Sequence, residues 1–378
     1  MHHTIFLAAA LLIGLAGPAA AADPGRPAAY WKVSDERLSF ELAKLSVPRR
    51  AAGAEYHETM EFSHGGEGLD SAVKYRSADH EVFATVYVYY PSFADTGVQA
   101  IATDQAIRAN SSSSPARSLG TAVASAAGKP AVAVTSEYDH YLGNLFSKAA
   151  FIKAGRWMLK VRVSGPEARS AEVKAVMTAL LDGLRFDGKT QPASATPISA
   201  DECSSTDRPD AKSVQDDDAL PAYGMLATFD AAGQPGANAP RGDRTPLLAR
   251  IGRNWCRTTL TVGKDRITML QATGDGRGDG LGGDSALLVL INDGGGVIEV
   301  VRMAKEQRYV LLNHRIAEVD VLASYDALPS VAQIGRLFAE PAGVRARVRL
   351  KPNGNTELDL PTPAKKAPRT ARADLPPG

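Results

Sequence analysis

The residues whose types and spacing come nearest to a catalytic motif run from Gly183 to Thr190. They satisfy the G-x-x-x-x-G-K-T pattern of phosphate-binding loops, in which backbone N–H groups and a helix N-terminus hold phosphate groups. That chemistry requires a strand before the first glycine and a helix after the lysine. Here the pattern follows a predicted helix and continues into Gln191, Pro192 and Ala193, which are typical of a linker. We therefore interpret the match as chance.

One serine stands in a short hydrolase motif without the partners that the chemistry needs. Gly283, Asp284 and Ser285 resemble the start of the block that carries the nucleophile in GDSL-type esterases. That family needs an Asp-x-x-His motif downstream, which supplies the catalytic base. The single histidine after Ser285 is His314, and Leu311 stands where the aspartate would be. The sequence therefore favours a protein without catalytic residues, and a hydrolase whose site joins distant residues remains the alternative.

A glycine-rich loop from Gly274 to Asp284 offers candidate metal ligands. Its aspartates Asp275, Asp279 and Asp284 carry the kind of oxygen atom that Ca²⁺ prefers. The loop lacks both the aspartate spacing and the closing glutamate of an EF-hand. We predict a flexible hairpin loop, with a weak cation site or a contact with a partner as the alternative. No motif in the chain indicates a cofactor.

A candidate binding surface lies on a strand predicted from Val82 to Tyr90. Small aliphatic residues occupy every second position there, and they are predicted to face the core. Phe83, Tyr87 and Tyr89 share the opposite face, where aromatic residues fit a pleated, half-buried surface. These three residues are the candidate binding surface.

Helices are predicted before and after this strand along the chain. One covers Asp35 to Leu45 and a second covers Gly97 to Ala109. A third follows Pro166, with an apolar stripe at i, i+3 and i+4 spacing. The residues of this stripe are Val173, Val176, Met177, Leu180 and Leu184.

The order of these elements, with a hairpin from residues 131–138 to 144–153 and a strand from Arg156 to Val163, resembles the PsbP-type α/β sandwich. The resemblance covers residues 30–188 and is one of topology. It implies an α+β fold, with helices packed on an antiparallel sheet. It also implies a protein-associating or accessory role in an exported protein, and it carries over no catalytic residue.

The second part of the chain, residues 198–360, reads as a β-rich domain with one main helix from Leu328 to Ala339. Its last hairpin has a stripe of arginines that resembles an anion site. A three-residue loop over residues 352–354 would set Arg349 opposite Glu357 and Arg347 opposite Asp359. We therefore predict that the neighbouring strand neutralises most of this stripe.

Two cysteines, Cys203 and Cys256, are the only ones in the chain. In an exported protein an even pair is most simply a disulfide. A metal site would need two further ligands, and no histidine is close to either cysteine in sequence. We predict a structural disulfide.

The first 22 residues predict export. Residues 5–15 form an uninterrupted apolar run of the length expected for the core of a signal peptide. Gly17 and Pro18 follow, and the four alanines up to Ala22 offer the small side chains that a signal peptidase requires. Cleavage there leaves Asp23 as the new N-terminus. The predicted location is periplasmic or secreted, and no later stretch has the length and apolar character of a membrane span.

Composition sets the remaining limits. A chain of 378 residues suits two domains, here residues 30–188 and 198–360, joined by a linker over residues 189–197. Residues 361–378 predict a disordered basic tail rich in proline and alanine. A net charge of +1 argues against a surface for nucleic acid. The sequence therefore predicts a non-enzymatic binding or accessory protein of the cell envelope, with an envelope protein or a small ligand as its partner.

Overall fold

The fold is mostly β. The computed structural model of the protein describes residues 30–63, 67–109, 116–188, 190–204, 208–215, 255–262, 265–273, 284–303, 307–339, 343–351 and 355–360. Within these ranges, strands hold 55% of the residues and helices hold 15%. The predicted α+β class, with helices packed on an antiparallel sheet, is therefore wrong. The predicted signal peptide and the predicted tail lie outside the described ranges.

Two sheets form from the first part of the chain. The strands are β1 (Trp31–Val33), β2 (Arg37–Phe40), β3 (Leu45–Pro48), β4 (Arg50–Ala51), β5 (Ala54–Glu61), β6 (Asp70–Ser77), β7 (Phe83–Tyr89), β8 (Arg117–Ala126), β9 (Lys129–Tyr141), β10 (Leu145–Ala154), β11 (Trp157–Pro166) and β12 (Arg185–Phe186). A four-stranded sheet has the order β1-β2-β3-β12, and an eight-stranded sheet has the order β4-β5-β6-β7-β11-β10-β9-β8.

A ten-stranded sheet forms from the second part. Its strands are β13 (Ala200–Glu202), β14 (Ser213–Val214), β15 (Trp255–Val262), β16 (Asp265–Ala272), β17 (Asp284–Leu290), β18 (Val297–Met303), β19 (Arg308–Arg315), β20 (Glu318–Tyr325), β21 (Ala346–Leu350) and β22 (Thr356–Asp359). They follow chain order from β15 to β22, with β13 beside β15 and β14 on β20. The helices are α1 (Thr96–Ala109), α2 (Ser170–Gly183) and α3 (Val331–Ala339).

The predicted helix over Asp35 to Leu45 is wrong, because this segment forms β2, a turn and β3. Leu38 and Phe40 are both fully buried, and the residue between them is exposed, which is the alternation of a strand. Lys44 in the turn has a positive φ of 50°. The turn brings Leu45 opposite Phe40, so apolar residues that suggest a helical stripe instead share one face of a hairpin.

The helix α2 has the predicted apolar stripe. Val173, Val176, Met177 and Leu180 are buried, and they belong to the cluster that fills the space against β10 and β11. This helix covers one face of the eight-stranded sheet. Gly183 ends the helix, where an added Cβ would come within 2.6 Å of the Pro48 side chain. Close packing therefore explains this first glycine of the phosphate-loop pattern.

The helix α1 lies between the two large sheets and confirms the helix predicted from Gly97. Asp95 caps it, since its carboxylate accepts the backbone N–H groups of Gly97 and Val98, each at 2.9 Å. Ala100 packs in a cluster of the eight-stranded sheet, whereas Val98 and Ala102 pack in a cluster of the ten-stranded sheet. The core is thus continuous across α1.

The last hairpin confirms the predicted register. Arg349 lies opposite Glu357, and Arg347 lies opposite Asp359. The main neutralising group stands on the other neighbour, β20, where Asp320 is fully buried and its carboxylate lies 2.6 Å from Nε of Arg347. The arginine stripe is therefore held in an ion-pair network inside the sheet.

Cys203 and Cys256 form the predicted disulfide. The first follows β13 directly, and the second lies in β15, which pairs with β13 in parallel.

The described part of the predicted linker, from residue 190, is attached to the eight-stranded sheet. The N–H group of Ala195 donates to the carbonyl oxygen of Ala131 at 2.9 Å, and Ala195 is buried. The division into two domains stays a prediction.

Candidate functional site

The face of the eight-stranded sheet opposite α2 carries a group of charged residues, which we call the polar face. The register places Tyr87 on β7 beside Lys160 on β11, and Arg162 follows two residues later on the same face. Asp70 on β6 lies in the next row, opposite Tyr89. Asp293, from the turn between β17 and β18, approaches the same face. The polar face is defined as Asp70, Tyr87, Lys160, Arg162 and Asp293.

Lys160 is the centre of the polar face. Its Nζ lies 2.5 Å from a carboxylate oxygen of Asp293 and 5.5 Å from the centre of the Tyr87 ring. The Lys160 side chain is only 7% exposed. Burial lowers the pKa of Lys160, and the attraction of Asp293 opposes that effect. Burial also raises the pKa of Tyr87, so its hydroxyl stays protonated.

Asp70 is the most perturbed carboxyl group of the polar face. Burial raises its pKa to about 7, and the nearby Glu61 adds to the effect while Lys160 opposes it. Glu61 is itself buried, with one carboxylate oxygen that has no hydrogen-bond partner. Burial also raises the pKa of Glu61. Two neighbouring carboxyls thus bind protons more tightly than usual, and one of them, Asp70, lies near the buried Lys160.

We expect Asp70→Asn to stabilise the protein above pH 7 by about 2 kcal/mol. The pKa of Asp70 rises from 3.8 to about 7 on folding, so the stability that this group contributes is present below pH 4 and lost as the pH rises through 7. A tenfold change in proton affinity corresponds to about 1.4 kcal/mol, and partial solvation of the half-buried carboxyl reduces the full difference. Urea unfolding of the variant and the wild type from pH 4 to pH 8 measures it.

The matched control for this measurement is Asp79→Asn, which should act in the opposite direction. A hydrogen bond from Ser77 lowers the pKa of Asp79 to about 2, so loss of its charge should destabilise the protein at neutral pH. A stability difference between Asp70→Asn and the wild type that does not change with pH would contradict the assignment of a raised pKa to Asp70.

The structure separates the three residues of the predicted aromatic surface. Phe83 and Tyr87 are half-buried; Tyr87 belongs to the polar face, and Phe83 lies beside it on the same strand. Tyr89 is 2% exposed and packs beneath α1, where its hydroxyl donates to the side-chain oxygen of Gln99 at 3.2 Å. Tyr89 is therefore a core residue and not part of an accessible surface.

A second polar group joins residues that are distant in sequence. Ser92 follows β7, His314 lies in β19, and Glu299 lies in β18. The Ser92 hydroxyl oxygen is 3.2 Å from Nδ1 of His314, and Nε2 of His314 is 2.9 Å from a Glu299 carboxylate oxygen. Serine, histidine and acid in this order are the components of a nucleophilic triad.

Burial argues against catalysis by this group. Ser92 and Glu299 are each 1% exposed and His314 is 0% exposed, so a substrate carbonyl has no path to the serine oxygen in this conformation. The oxygen also accepts the backbone N–H of Arg315 at 3.1 Å. The ring of Phe93 packs edge-on against the imidazole. The group joins the end of β7 to the ten-stranded sheet, which is a structural role.

Three further predicted site residues belong to the glycine-rich loop. Asp275 and Asp279 lie outside the described residues, and Asp284 begins β17. Across the ranges that the structure describes, no group of three or more His, Cys, Asp or Glu side chains is arranged to hold a metal ion. In the same ranges no helix has the length and apolar character of a membrane span.

The sequence reasoning missed Lys160, Arg162 and the Ser92 group. A signal existed for His314, which alternates with Val310 and Leu312 and therefore belongs to the buried face of its strand.

No family model matches the chain, and no curated protein matches it.

Proposed function

We propose that the protein is an exported, non-enzymatic binding protein of the cell envelope, and that it binds a small polar ligand at the polar face. The observation that carries the proposal is the composition of this face. Two cations, two carboxyls and a tyrosine converge there at the edge of the buried core. Burial of charged groups costs free energy unless the charges are paired. Clusters of buried titratable groups with shifted pKa values are therefore common at functional sites.

Export is supported by two features of the chain. Residues 5–22 have the apolar run and small residues of a signal peptide, and the Cys203–Cys256 disulfide is typical of an oxidising compartment. A periplasmic or secreted location meets both. The PsbP-type resemblance would instead favour a protein partner, which the experiment below distinguishes from a small ligand.

Binding is favoured over hydrolysis by the accessibility of the two polar groups. Tyr87 and Arg162 are half-buried and adjoin solvent, whereas the Ser92 hydroxyl is enclosed. The alternative of an exported hydrolase has the Ser92–His314–Glu299 arrangement in its favour, but it would require the two large sheets to separate at α1.

We expect the mature protein, purified from the periplasm under native conditions, to retain a small ligand. Native mass spectrometry would detect it as an added mass that disappears on denaturation. Tyr87→Ala should reduce ligand retention at least about tenfold, because loss of a packed aromatic side chain costs about 1.5–3 kcal/mol. Tyr309→Ala is the matched control, since Tyr309 is also half-buried but lies in the ten-stranded sheet.

Three results would contradict the proposal. One is a mature chain that carries no added mass and whose melting temperature no compound of a broad metabolite library changes. Another is equal loss of ligand in Tyr87→Ala and Tyr309→Ala. The third is recovery of the intact precursor, with Met1 retained, from the cytoplasm, which would refute export.

A further inference from the structure

A row of hydroxyl-bearing side chains crosses the eight-stranded sheet beside the polar face. The register aligns Tyr138 on β9 with Ser147 on β10, Ser147 with Ser164 on β11, and Ser164 with Phe83 on β7. Directly opposed side chains on neighbouring strands are close enough to share a ligand. The two serine oxygens are 2.8 Å apart, and Tyr138, Ser147 and Ser164 are buried. Phe83 is half-buried, so the row opens towards solvent at its β7 end.

Arg162 lies next to this row with its charge uncompensated. Its Nε donates to the Ser147 hydroxyl at 3.4 Å, and its guanidinium stacks 4.5 Å from the centre of the Tyr141 ring. No carboxylate within the described ranges forms an ion pair with it, and Asp293, which is near enough to feel its charge, is paired with Lys160. Its Nη2 is buried and has no hydrogen-bond partner. A buried guanidinium N–H without an acceptor is unfavourable by itself.

Tyr138 provides a second unpartnered donor in the same place. The residue is 0% exposed, and its hydroxyl oxygen has no partner at hydrogen-bond distance, although the nearby Ser136 side chain acts to lower its pKa. Burial raises the pKa of Tyr138, so the hydroxyl keeps its proton and remains a donor. Tyr141 packs against Tyr138 and also stacks on the Arg162 guanidinium, so both donors adjoin one ring.

We infer that Arg162 and the hydroxyl row bind the oxyanion of a ligand, a carboxylate or a phosphate attached to an apolar body. This inference rests on the proposed function and names the chemical class of the ligand. The planar guanidinium fork matches a carboxylate or a phosphate, and the Tyr138 hydroxyl donates to a second oxygen. The Tyr141 ring stacks on the guanidinium and the Phe83 ring lies at the β7 end of the row, and both provide contact for the apolar body.

A cationic ligand does not fit this place, because Arg162 would repel it and the neighbouring carboxylate of Asp293 is already compensated. A purely structural explanation would leave two buried donors without acceptors on β11 and β9, the two neighbours of β10, whereas buried polar groups are nearly always satisfied. An anion satisfies both donors at once.

The inference can be tested on the mature protein with benzoate and inorganic phosphate as probes. Benzamide has the shape of benzoate without its charge. Chloride keeps the ionic strength constant across the titrations, so that differences in screening do not change the measured affinities. Amide NMR shifts give the dissociation constants. We expect saturable binding of benzoate or phosphate and at least about tenfold weaker binding of benzamide. Tighter binding of benzoate than of phosphate would identify a carboxylate ligand, and the reverse would identify a phosphorylated one.

Variants locate the site. Arg162→Gln should weaken anion binding at least about tenfold, and Arg162→Lys should also weaken it because lysine retains the charge without the fork. Tyr138→Phe should weaken binding without lowering the melting temperature of the ligand-free protein, since the hydroxyl makes no hydrogen bond there. The control is Arg76→Gln, an exposed arginine next to Phe83 on β6, which should bind like the wild type.

Equal effects of Arg162→Gln and Arg76→Gln would overturn the inference, because they would show only general attraction of anions. Equal binding of benzoate and benzamide would overturn it as well. If neither anion binds the wild type and the ligand found by native mass spectrometry is neutral, the inference fails while the proposed function stands. If no ligand of any kind binds, both fail.

Discussion

Replacement of His314 by alanine should lower the free energy of unfolding by about 3–5 kcal/mol. The imidazole is fully buried between the hydroxyl of Ser92 and the carboxylate of Glu299. Alanine removes a hydrogen-bond partner from each and leaves a cavity beside Phe93. Urea unfolding of the mature protein, followed by tryptophan fluorescence, measures the change.

Ser92→Ala is the graded control for this prediction. It removes one hydroxyl from the same group and should cost about 1–2 kcal/mol, because the imidazole keeps its bond to Glu299. If the group is structural, the effects of the two substitutions on stability are coupled. The double variant then loses less free energy of unfolding than the sum of the two single losses. Covalent labelling of the wild type, but not of Ser92→Ala, by a fluorophosphonate probe would contradict that role and favour the hydrolase.

Loss of the disulfide should lower the free energy of unfolding by about 4 kcal/mol. The bond joins cysteines 53 residues apart, and opening a loop of that length returns considerable conformational entropy to the unfolded chain. It also holds β13 against β15, a parallel pair at the end of the ten-stranded sheet. The double variant Cys203→Ala/Cys256→Ala removes the cross-link without leaving a free thiol.

Reduction provides the matched comparison for this variant. Dithiothreitol should destabilise the wild type by a similar amount and leave the double variant unchanged. Hydrogen exchange should quicken first in β15, where the Cys256 backbone pairs with Gln271 on β16. Equal stability of the oxidised wild type and the double variant would show that the bond does not stabilise this fold.

Local spacing in the sequence predicted several elements correctly. The i, i+3, i+4 stripe of α2, from Val173 to Leu180, depends on contacts within one turn or two, and the structure buries it as expected. The turn residues of the last hairpin determine its register, so Arg349 was placed opposite Glu357. The disulfide followed from there being two cysteines in a chain with a predicted export signal.

The helix predicted over Asp35 to Leu45 was wrong because an apolar spacing can satisfy two periods. Leu38, Leu42 and Leu45 suggest one face of a helix, whereas Leu38, Phe40 and Leu45 form the inside of a hairpin once Lys44 adopts a positive φ. Asp320 stands in the middle of the strand β20, where a charge argues against a buried strand. The charge is compatible with a buried strand only since arginines on β19 and β21 neutralise it.

The candidate sites show the same limit. The alternation around Tyr87 indicated a strand with one aromatic face, but only packing decided that α1 covers Tyr89 and leaves Tyr87 beside Lys160. Ser92 and His314 are 222 residues apart, and no local pattern links them.

The sequence by itself determined the disulfide, the helices α1 and α2, and the pairing of the two strands in the last hairpin. These depend on interactions between residues close along the chain or on residue type alone. The tertiary structure decided which charged side chains meet, which hydroxyls remain without partners, and which aromatic residues reach solvent. These depend on the stacking of sheets that join distant segments, because burial and electrostatic environment are properties of the packed molecule.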